Sequence, residues 1–121
     1  MKRLVLLFSH QLTEKQELDA KEGLKCSEIL YMPKELKEKW QNLGMERELN
    51  EFKDFLKEVT TIGDYVLVQG EWGATYEMVN YCKENNLIPI YSSTKREVEE
   101  KKEGETIVKI SKFVHRGFVQ Y

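Results

Sequence analysis

Three short polar segments contain most of the side chains in this chain that could bind or transform a small molecule. The first is Ser9-His10-Gln11, the second is Gln69-Gly70-Glu71-Trp72-Gly73-Ala74-Thr75, and the third is Ser92-Ser93-Thr94-Lys95-Arg96. Each segment follows an apolar run of strand length. In open α/β sheets, ligands bind at the carboxyl ends of the strands, close to the point where the strand order reverses. The sequence therefore predicts one site built from the three segments.

His10 is the residue of the first segment best suited to proton transfer. A neutral imidazole can donate or accept a proton near pH 7. The alternative is a loop histidine that hydrogen-bonds only to backbone. No Asp or Glu lies close to His10 in the sequence to orient its ring, so Ser9 and His10 do not predict a hydrolase triad.

The glycines of the second segment predict a close approach of the backbone to a ligand. Gly70 and Gly73 lack a Cβ and precede a predicted helix, whose first N–H groups favour an anion. Alternatively, the glycines only make the turn and Thr75 caps the helix. The spacing matches neither a Walker A loop nor G-x-G-x-x-G, so it does not specify ATP or NAD. Trp72 could stack on a base or pack against a partner subunit.

Cations and a histidine occur near the carboxyl terminus. Lys95 and Arg96 lie beside the hydroxyl groups of the third segment, a combination that suits phosphate oxygens, although a solvated charge pair is the alternative. His115-Arg116 falls in a predicted hairpin, where we expect a dimer contact or plain surface rather than catalysis.

Neither Cys26 nor Cys82 has another cysteine or a pair of histidines nearby at metal-binding spacing. This excludes a zinc site of ordinary spacing, and no other motif predicts a metal or a cofactor. A disulfide between them is the alternative to two free buried thiols, which are expected in a reducing compartment.

Apolar runs alternate with amphipathic segments along the chain, which predicts an open, mostly parallel α/β sheet flanked by helices. The predicted strands cover residues 4–8, 27–32, 65–68 and 87–91, and Thr13 with Gln16 forms a capping box that opens the first helix. Trp40 and an apolar stripe over residues 49–59 are expected in the core. A turn at residues 103–104 predicts a final β-hairpin, bent near Gly117. One Rossmann-like domain over residues 1–121 is the predicted fold.

Composition excludes several classes of protein. Lys and Arg number 19 against 21 Asp and Glu, so the net charge of −2 argues against a basic coat that binds long nucleic acids. The longest apolar run, residues 4–8, is far shorter than the ~20 residues of a membrane span. It is also too short for a signal peptide, so we expect a cytoplasmic protein.

Three motifs together resemble a small Csx-type family of CRISPR-associated proteins. They are Leu7-Phe8-Ser9-His10-x-Leu12-Thr13, then Gly63-Asp64-Tyr65-Val66-Leu67-Val68-Gln69-Gly70-Glu71-Trp72-Gly73-Ala74-Thr75, and Ile88-Pro89-Ile90-Tyr91-x-x-Thr94-Lys95-Arg96. The resemblance spans nearly the whole chain. This family is similar to the ring nucleases of type III CRISPR systems, which are homodimeric Rossmann-like proteins that cut cyclic oligoadenylate second messengers.

The resemblance implies cleavage without a metal, in which a ribose 2′-hydroxyl attacks the adjacent phosphorus and leaves a 2′,3′-cyclic phosphate. On this hypothesis His10 acts as acid or base, and Ser9 and Gln69 orient ribose or phosphate oxygens. The expected ligand-binding positions are Gln11, Gly70, Glu71, Trp72, Gly73, Ala74, Thr75, Thr94, Lys95 and Arg96. The expected dimer contacts are Trp72, Phe113, Val114 and Phe118. Two alternatives stay open: a protein that binds cyclic oligoadenylate without cutting it, and a small α/β interaction or toxin-inhibitor protein.

Overall fold

A mixed β-sheet flanked by helices forms the centre of the molecule, whose computed structural model describes residues 2–45 and 48–121. Within these residues the strands are β1 (Arg3–Leu7), β2 (Glu28–Leu30), β3 (Tyr65–Val68), β4 (Ile88–Glu103) and β5 (Thr106–Gln120). The helices are α1 (Glu14–Leu18), which continues as a π-helical turn over Asp19–Gly23, α2 (Lys34–Gln41), α3 (Asn50–Val59) and α4 (Trp72–Glu84). None of these helices is long and apolar enough to cross a membrane.

The sheet has the strand order β2-β1-β3-β4-β5. The first four strands run parallel, and β5 runs antiparallel to β4. The strand β2 therefore lies on one side of β1, and β3, β4 and β5 follow in order on the other side. The predicted α/β class with a mostly parallel sheet and a final hairpin is confirmed at this level.

The strand β1 is buried on both faces, as its continuous apolar run predicts. Leu4 and Leu6 pack into one apolar cluster, Val5 and Leu7 pack into the other, and all four are fully buried. Burial of each such side chain contributes about 1.5–3 kcal/mol. The cluster that contains Val5 also holds the predicted core residue Trp40, which is 2% exposed.

The capping box predicted for the first helix is present. The backbone N–H of Gln16 donates to the Thr13 hydroxyl over 3.2 Å, and the backbone N–H of Thr13 donates to the Gln16 carboxamide over 2.9 Å. These bonds satisfy two N–H groups that a helix start leaves without partners.

The strand β4 is much longer than predicted. It continues through Lys95 and Arg96 to Glu103, so these two cations lie in the strand and the predicted strand end at residue 91 is wrong. The reason is the antiparallel ladder with β5, in which Gly104 takes a positive φ of 62° in the turn. Cross-strand ion pairs, such as Lys112 with Glu99 at 3.4 Å, offset the repulsion between like charges along the two strands.

Residues 94–114 form a two-stranded arm, which we call the ribbon. The register passes from Ser93 opposite Gly117 to Thr94 opposite His115, so Arg116 is an extra residue, and this bulge lies next to Gly117, where the sequence predicts a bend. Phe113 on the ribbon is 73% exposed. Phe118, an expected dimer contact, is partly buried and packs against the cluster that contains Leu4 and Leu6.

Candidate functional site

The carboxyl ends of β1 and β3 meet Ser92, which lies within β4, at one edge of the sheet. The backbone N–H of Gln69 donates to the carbonyl of Leu7 at the end of β1, over 3.2 Å. The Gln69 carboxamide oxygen accepts from the backbone N–H of Ser92 over 2.8 Å. Gln69 therefore joins all three strands. Thr94, by contrast, lies with the two cations in the ribbon, beyond this junction.

Beside Gln69, a chain of hydrogen bonds links Asp19, His115 and Ser92, which we call the relay. The Nε2 atom of His115 lies 2.8 Å from Oδ2 of Asp19, and its Nδ1 atom lies 2.5 Å from Oγ of Ser92. The Gln16 carboxamide also donates to Ser92 Oγ, over 3.2 Å. A helix and both strands of the hairpin thus contribute to one connected group of side chains.

The relay has a defined direction because a carboxylate accepts hydrogen bonds and does not donate them. Asp19 therefore holds the hydrogen of a neutral His115 on Nε2, which leaves Nδ1 to accept the hydroxyl proton of Ser92. The backbone N–H of Phe118 also donates to Oδ2 of Asp19, over 3.2 Å. This order of acid, imidazole and hydroxyl is the one that activates a hydroxyl group in acid–base catalysis.

The relay is mostly enclosed but opens to solvent at one end. The side chain of His115 is 5% exposed and that of Asp19 is 31% exposed. A cleft of about 360 Å³ at this end is lined by Asp19 and His115 together with Lys15, Glu22 and Arg116. Asp19 also starts the π-helical turn, in which its carbonyl accepts from the backbone N–H of Leu24. Such turns recur at functional sites.

The expectation that His115 is plain surface is wrong, because its side chain is 5% exposed, whereas Arg116 is exposed. Its partner Asp19 lies 96 positions earlier in the chain, so no search of nearby residues finds the pair. One signal was present in the sequence. Counting the antiparallel register back from the turn at Gly104 places His115 opposite Thr94, next to Ser92.

His10 has a different environment from His115. It is exposed, and its ring lies edge-on to Phe8 with 5.3 Å between ring centroids. Across residues 2–45 and 48–121, His10 makes no hydrogen bond or ion pair. Ser9 is half-buried, and the Gln11 carboxamide donates to the hydroxyl of Tyr31 over 3.2 Å. The structure thus places these residues at the end of β1 without a direct contact to the relay.

The start of α4 differs from its predicted form. The helix begins at Trp72, so Gly73, Ala74 and Thr75 belong to its first turn and not to a loop. Its cap is Glu71, whose carboxylate accepts from the backbone N–H of Gly73 over 3.0 Å and of Ala74 over 2.9 Å. These are the N–H groups expected to bind phosphate. An external anion would have to displace the Glu71 carboxylate.

Gly70 serves a packing role at this junction. A Cβ at Gly70 would lie 2.5 Å from Nε1 of Trp40. The same Nε1 donates to the carbonyl of Gln69 over 2.9 Å. The glycine therefore allows the buried indole to approach the backbone and hold Gln69 in place.

The described residues offer no ready metal site. No group of three or more His, Cys, Asp or Glu side chains is arranged to hold a metal ion in this part of the chain. Cys26 and Cys82 are free and buried, which confirms the prediction of two free thiols. Burial raises the pKa of Cys82 to about 12.

Comparison with known proteins relates the whole chain to one family. The model of a family described as "Uncharacterized protein MJ1673 family" matches residues 2–119. A relative from Methanocaldococcus jannaschii, described as "Uncharacterized protein MJ1673", is 44% identical over 126 residues, which cover 100% of this chain and 98% of the relative. No solved structure matches the chain significantly. Because the family model spans nearly every residue, the chain belongs to the Uncharacterized protein MJ1673 family.

Proposed function

We propose that this protein is a ring nuclease that binds cyclic oligoadenylate, with cyclic tetra-adenylate as the expected ring, and cleaves it by attack of a ribose 2′-hydroxyl. The proposed fold class is Rossmann-like. The strand order supports this, since it reverses between β1 and β3, and doubly wound sheets bind ligands at the carboxyl ends of the strands at such a point. Ser9, His10 and Gln69 follow these two strands.

The observation that carries the proposal is the relay at this edge of the sheet. Attack by a 2′-hydroxyl requires a group that removes its proton. Ser92 Oγ can accept that proton while it passes its own to His115, because Oγ lies within hydrogen-bond distance of Nδ1. Asp19 stabilises the imidazolium that results.

The proposed reaction conserves every atom of the ring. The 2′-oxygen forms a bond to phosphorus and the bond from phosphorus to the 5′-oxygen breaks. The proton of the 2′-hydroxyl enters the relay, and the departing 5′-oxygen takes a proton from His10, which is exposed at the end of β1. The products are a 2′,3′-cyclic phosphate and a 5′-hydroxyl. Most of the acceleration then comes from positioning and from charge stabilisation at the phosphate.

Two copies of the site fit a ring-shaped ligand better than one. A two-fold dimer presents the same loops twice, and a ring of four identical nucleotides can match that symmetry. We therefore include a homodimer in the proposal. The cations Lys95 and Arg96 lie at the base of the ribbon, where they would approach phosphates of the ring.

Binding without cleavage is the second candidate function. It is favoured by the burial of the relay, since Ser92 is only 8% exposed and a substrate must come close to its hydroxyl. A capture protein needs the same binding loops but no access to Ser92.

Incubation of the purified protein with cyclic tri-, tetra- and hexa-adenylate in the presence of EDTA tests the proposal. We expect conversion of one ring to linear products, seen by chromatography, because the reaction uses the 2′-hydroxyl of the ligand. Rings that are bound but recovered intact would favour capture. Rings that are neither bound nor cut would overturn both functions.

A further inference from the structure

A second cavity lies on the side of α4 that faces the carboxyl terminus of the chain. It measures about 590 Å³, which is within the usual range for small-ligand pockets, about 300–1,000 Å³. Trp72, Tyr76, Asn80 and Lys83 line it at helical spacing, so they form one stripe along α4. Tyr121 lies across from this stripe. We call this cavity the α4 groove.

Aromatic rings dominate the mouth of the α4 groove. Trp72 is 91% exposed and Tyr76 is 72% exposed, which leaves both ring faces open to a ligand. Tyr121 is held rigidly, because its hydroxyl donates to the carbonyl of Val68 and its ring packs on Tyr91 with 4.9 Å between centroids. Flat, open aromatic side chains are the usual stacking partners of nucleobases.

Polar groups of the α4 groove are suited to the edge and the phosphate of a nucleotide. The Gln69 carboxamide uses its oxygen to accept from Ser92, so its amide N–H₂ is left to donate to a ligand. Asn80 supplies a second carboxamide, and carboxamides pair with the adenine edge through both donor and acceptor atoms. Lys83 supplies a cation for phosphate.

One buried polar atom indicates that the α4 groove lacks a partner. The hydroxyl of Thr75, a lining residue, is buried and has no hydrogen-bond partner in the part of the chain that the structure describes. Buried hydroxyl groups are nearly always hydrogen-bonded. A ligand that carries both donors and acceptors can supply the missing bond after a small rotation of the Thr75 side chain.

We infer that the α4 groove is a purine nucleotide site, in which the base stacks on Trp72 and Tyr76 and a phosphate approaches Lys83. The inference deepens the proposed function and rests on it for the identity of the base as adenine. Gln69 lines the groove and its carboxamide bonds to the backbone N–H of Ser92, whereas the side chains of the relay lie on the opposite face of the sheet, which α1 covers.

Titration with 5′-AMP tests the inference directly. The protein has two tryptophans, and Trp40 is buried, so quenching by a stacked base should come from Trp72. We expect Trp72→Ala and Tyr76→Ala each to weaken AMP binding by between about five-fold and about a hundred-fold, from the usual strength of base–aromatic stacking. Because Trp72→Ala removes the fluorophore, calorimetry measures its affinity. The matched control Ile62→Ala, which removes an exposed apolar side chain elsewhere, should bind AMP as the wild type does.

A second comparison tests the phosphate end of the site. Lys83→Ala should weaken binding of AMP, and the loss should be larger at low salt, whereas binding of adenosine should hardly change. Unchanged AMP affinity in both aromatic variants would overturn the inference. So would a change of oligomeric state in those variants without a change in AMP affinity, because the groove would then be a protein interface.

The outcomes separate this inference from the proposed function. If AMP binds in the α4 groove and no cyclic oligoadenylate is cut, the assignment of the groove as a nucleotide site is supported and the ring nuclease proposal is wrong. If both aromatic variants bind and cut cyclic tetra-adenylate at wild-type levels, the assignment of the groove as a nucleotide site is wrong and the ring nuclease proposal is supported.

Discussion

The relay makes His115 the best-oriented proton acceptor at the sheet edge. Its ring is held from both sides, by Asp19 at 2.8 Å and by Ser92 at 2.5 Å. Among residues 2–45 and 48–121, no side chain holds His10 by a hydrogen bond. A fixed ring loses little freedom when the reaction begins, so we assign the base to the relay and the acid to His10.

Substitution of the two histidines tests this division of roles. We expect His115→Ala and His10→Ala each to lower the single-turnover rate on cyclic tetra-adenylate by ~10²–10⁴-fold, with little change in equilibrium affinity. Ser92→Ala should also lower the rate but keep the bond from His115 to Asp19. Thermal unfolding of each variant controls for loss of structure. A variant that is folded and cuts at the wild-type rate excludes that residue from the proton transfer.

Cys82 gives a pH-dependent test of core packing. Burial raises its pKa from an ordinary value of 9.0 to about 12 in the folded protein. Below pH 9 both the folded and the unfolded thiol are protonated, so there is no effect on stability. Between pH 9 and pH 12 only the unfolded thiol ionises, and the free energy of unfolding falls as the pH rises.

Urea unfolding at several pH values from 8 to ~11 measures this effect. We expect the wild type to lose stability more steeply with pH than Cys82→Ala, in which only the other groups titrate. Parallel pH profiles for the two proteins would contradict the burial of this thiol.

At the scale of elements, the apolar strands and the turn of the final hairpin are predictable, but the length of β4 is not. The strand predicted over residues 65–68 matches β3, because a run of apolar residues has no other place than the core. The extension of β4 to Glu103 was missed, since its residues are nearly all charged and carry no apolar period. Its stability comes from pairing with β5, and the residues of β4 alone do not predict that pairing.

In the candidate site, likewise, some features follow from local sequence patterns and others depend on tertiary packing. The positions of Ser9, His10 and Gln69 at strand ends follow from local patterns, and the structure places them there. The bond between Asp19 and His115 depends on how α1 packs against the hairpin, so it could not be found from local spacing. The capping role of Glu71 was missed because the helix was expected to start later.

At the scale of the whole molecule, the ribbon is the part that most requires a partner. A two-stranded hairpin alone is at best marginally stable in water. Arg96 pairs with Phe113, Val98 with Ser111, and Lys102 with Ile107, so the register puts Phe113, Val98 and Ile107 on one face. These three apolar side chains are between 54% and 73% exposed. A second copy of the chain is the partner that we propose for this face.

Light scattering of the wild type and of Phe113→Asp tests the dimer. We expect the wild type at micromolar concentration to have twice the mass of the chain and Phe113→Asp to shift toward the monomer, because the variant places a charge in the apolar interface. Ile62→Asp, a charge at an exposed site before β3, should stay dimeric. A monomeric wild type would contradict the proposed dimer.

Cleavage through the ligand's own 2′-hydroxyl is the central claim, and a pair of matched rings tests it most directly. Excess protein in EDTA is mixed with cyclic tetra-adenylate or with its all-2′-deoxy counterpart. The products are then separated and their masses are measured by mass spectrometry. We expect the ribose ring to become a linear product of unchanged mass that ends in a 2′,3′-cyclic phosphate and a 5′-hydroxyl. We expect the deoxy ring to be bound and recovered intact. Cleavage of the deoxy ring at a similar rate, or recovery of the bound ribose ring uncut, would contradict the account.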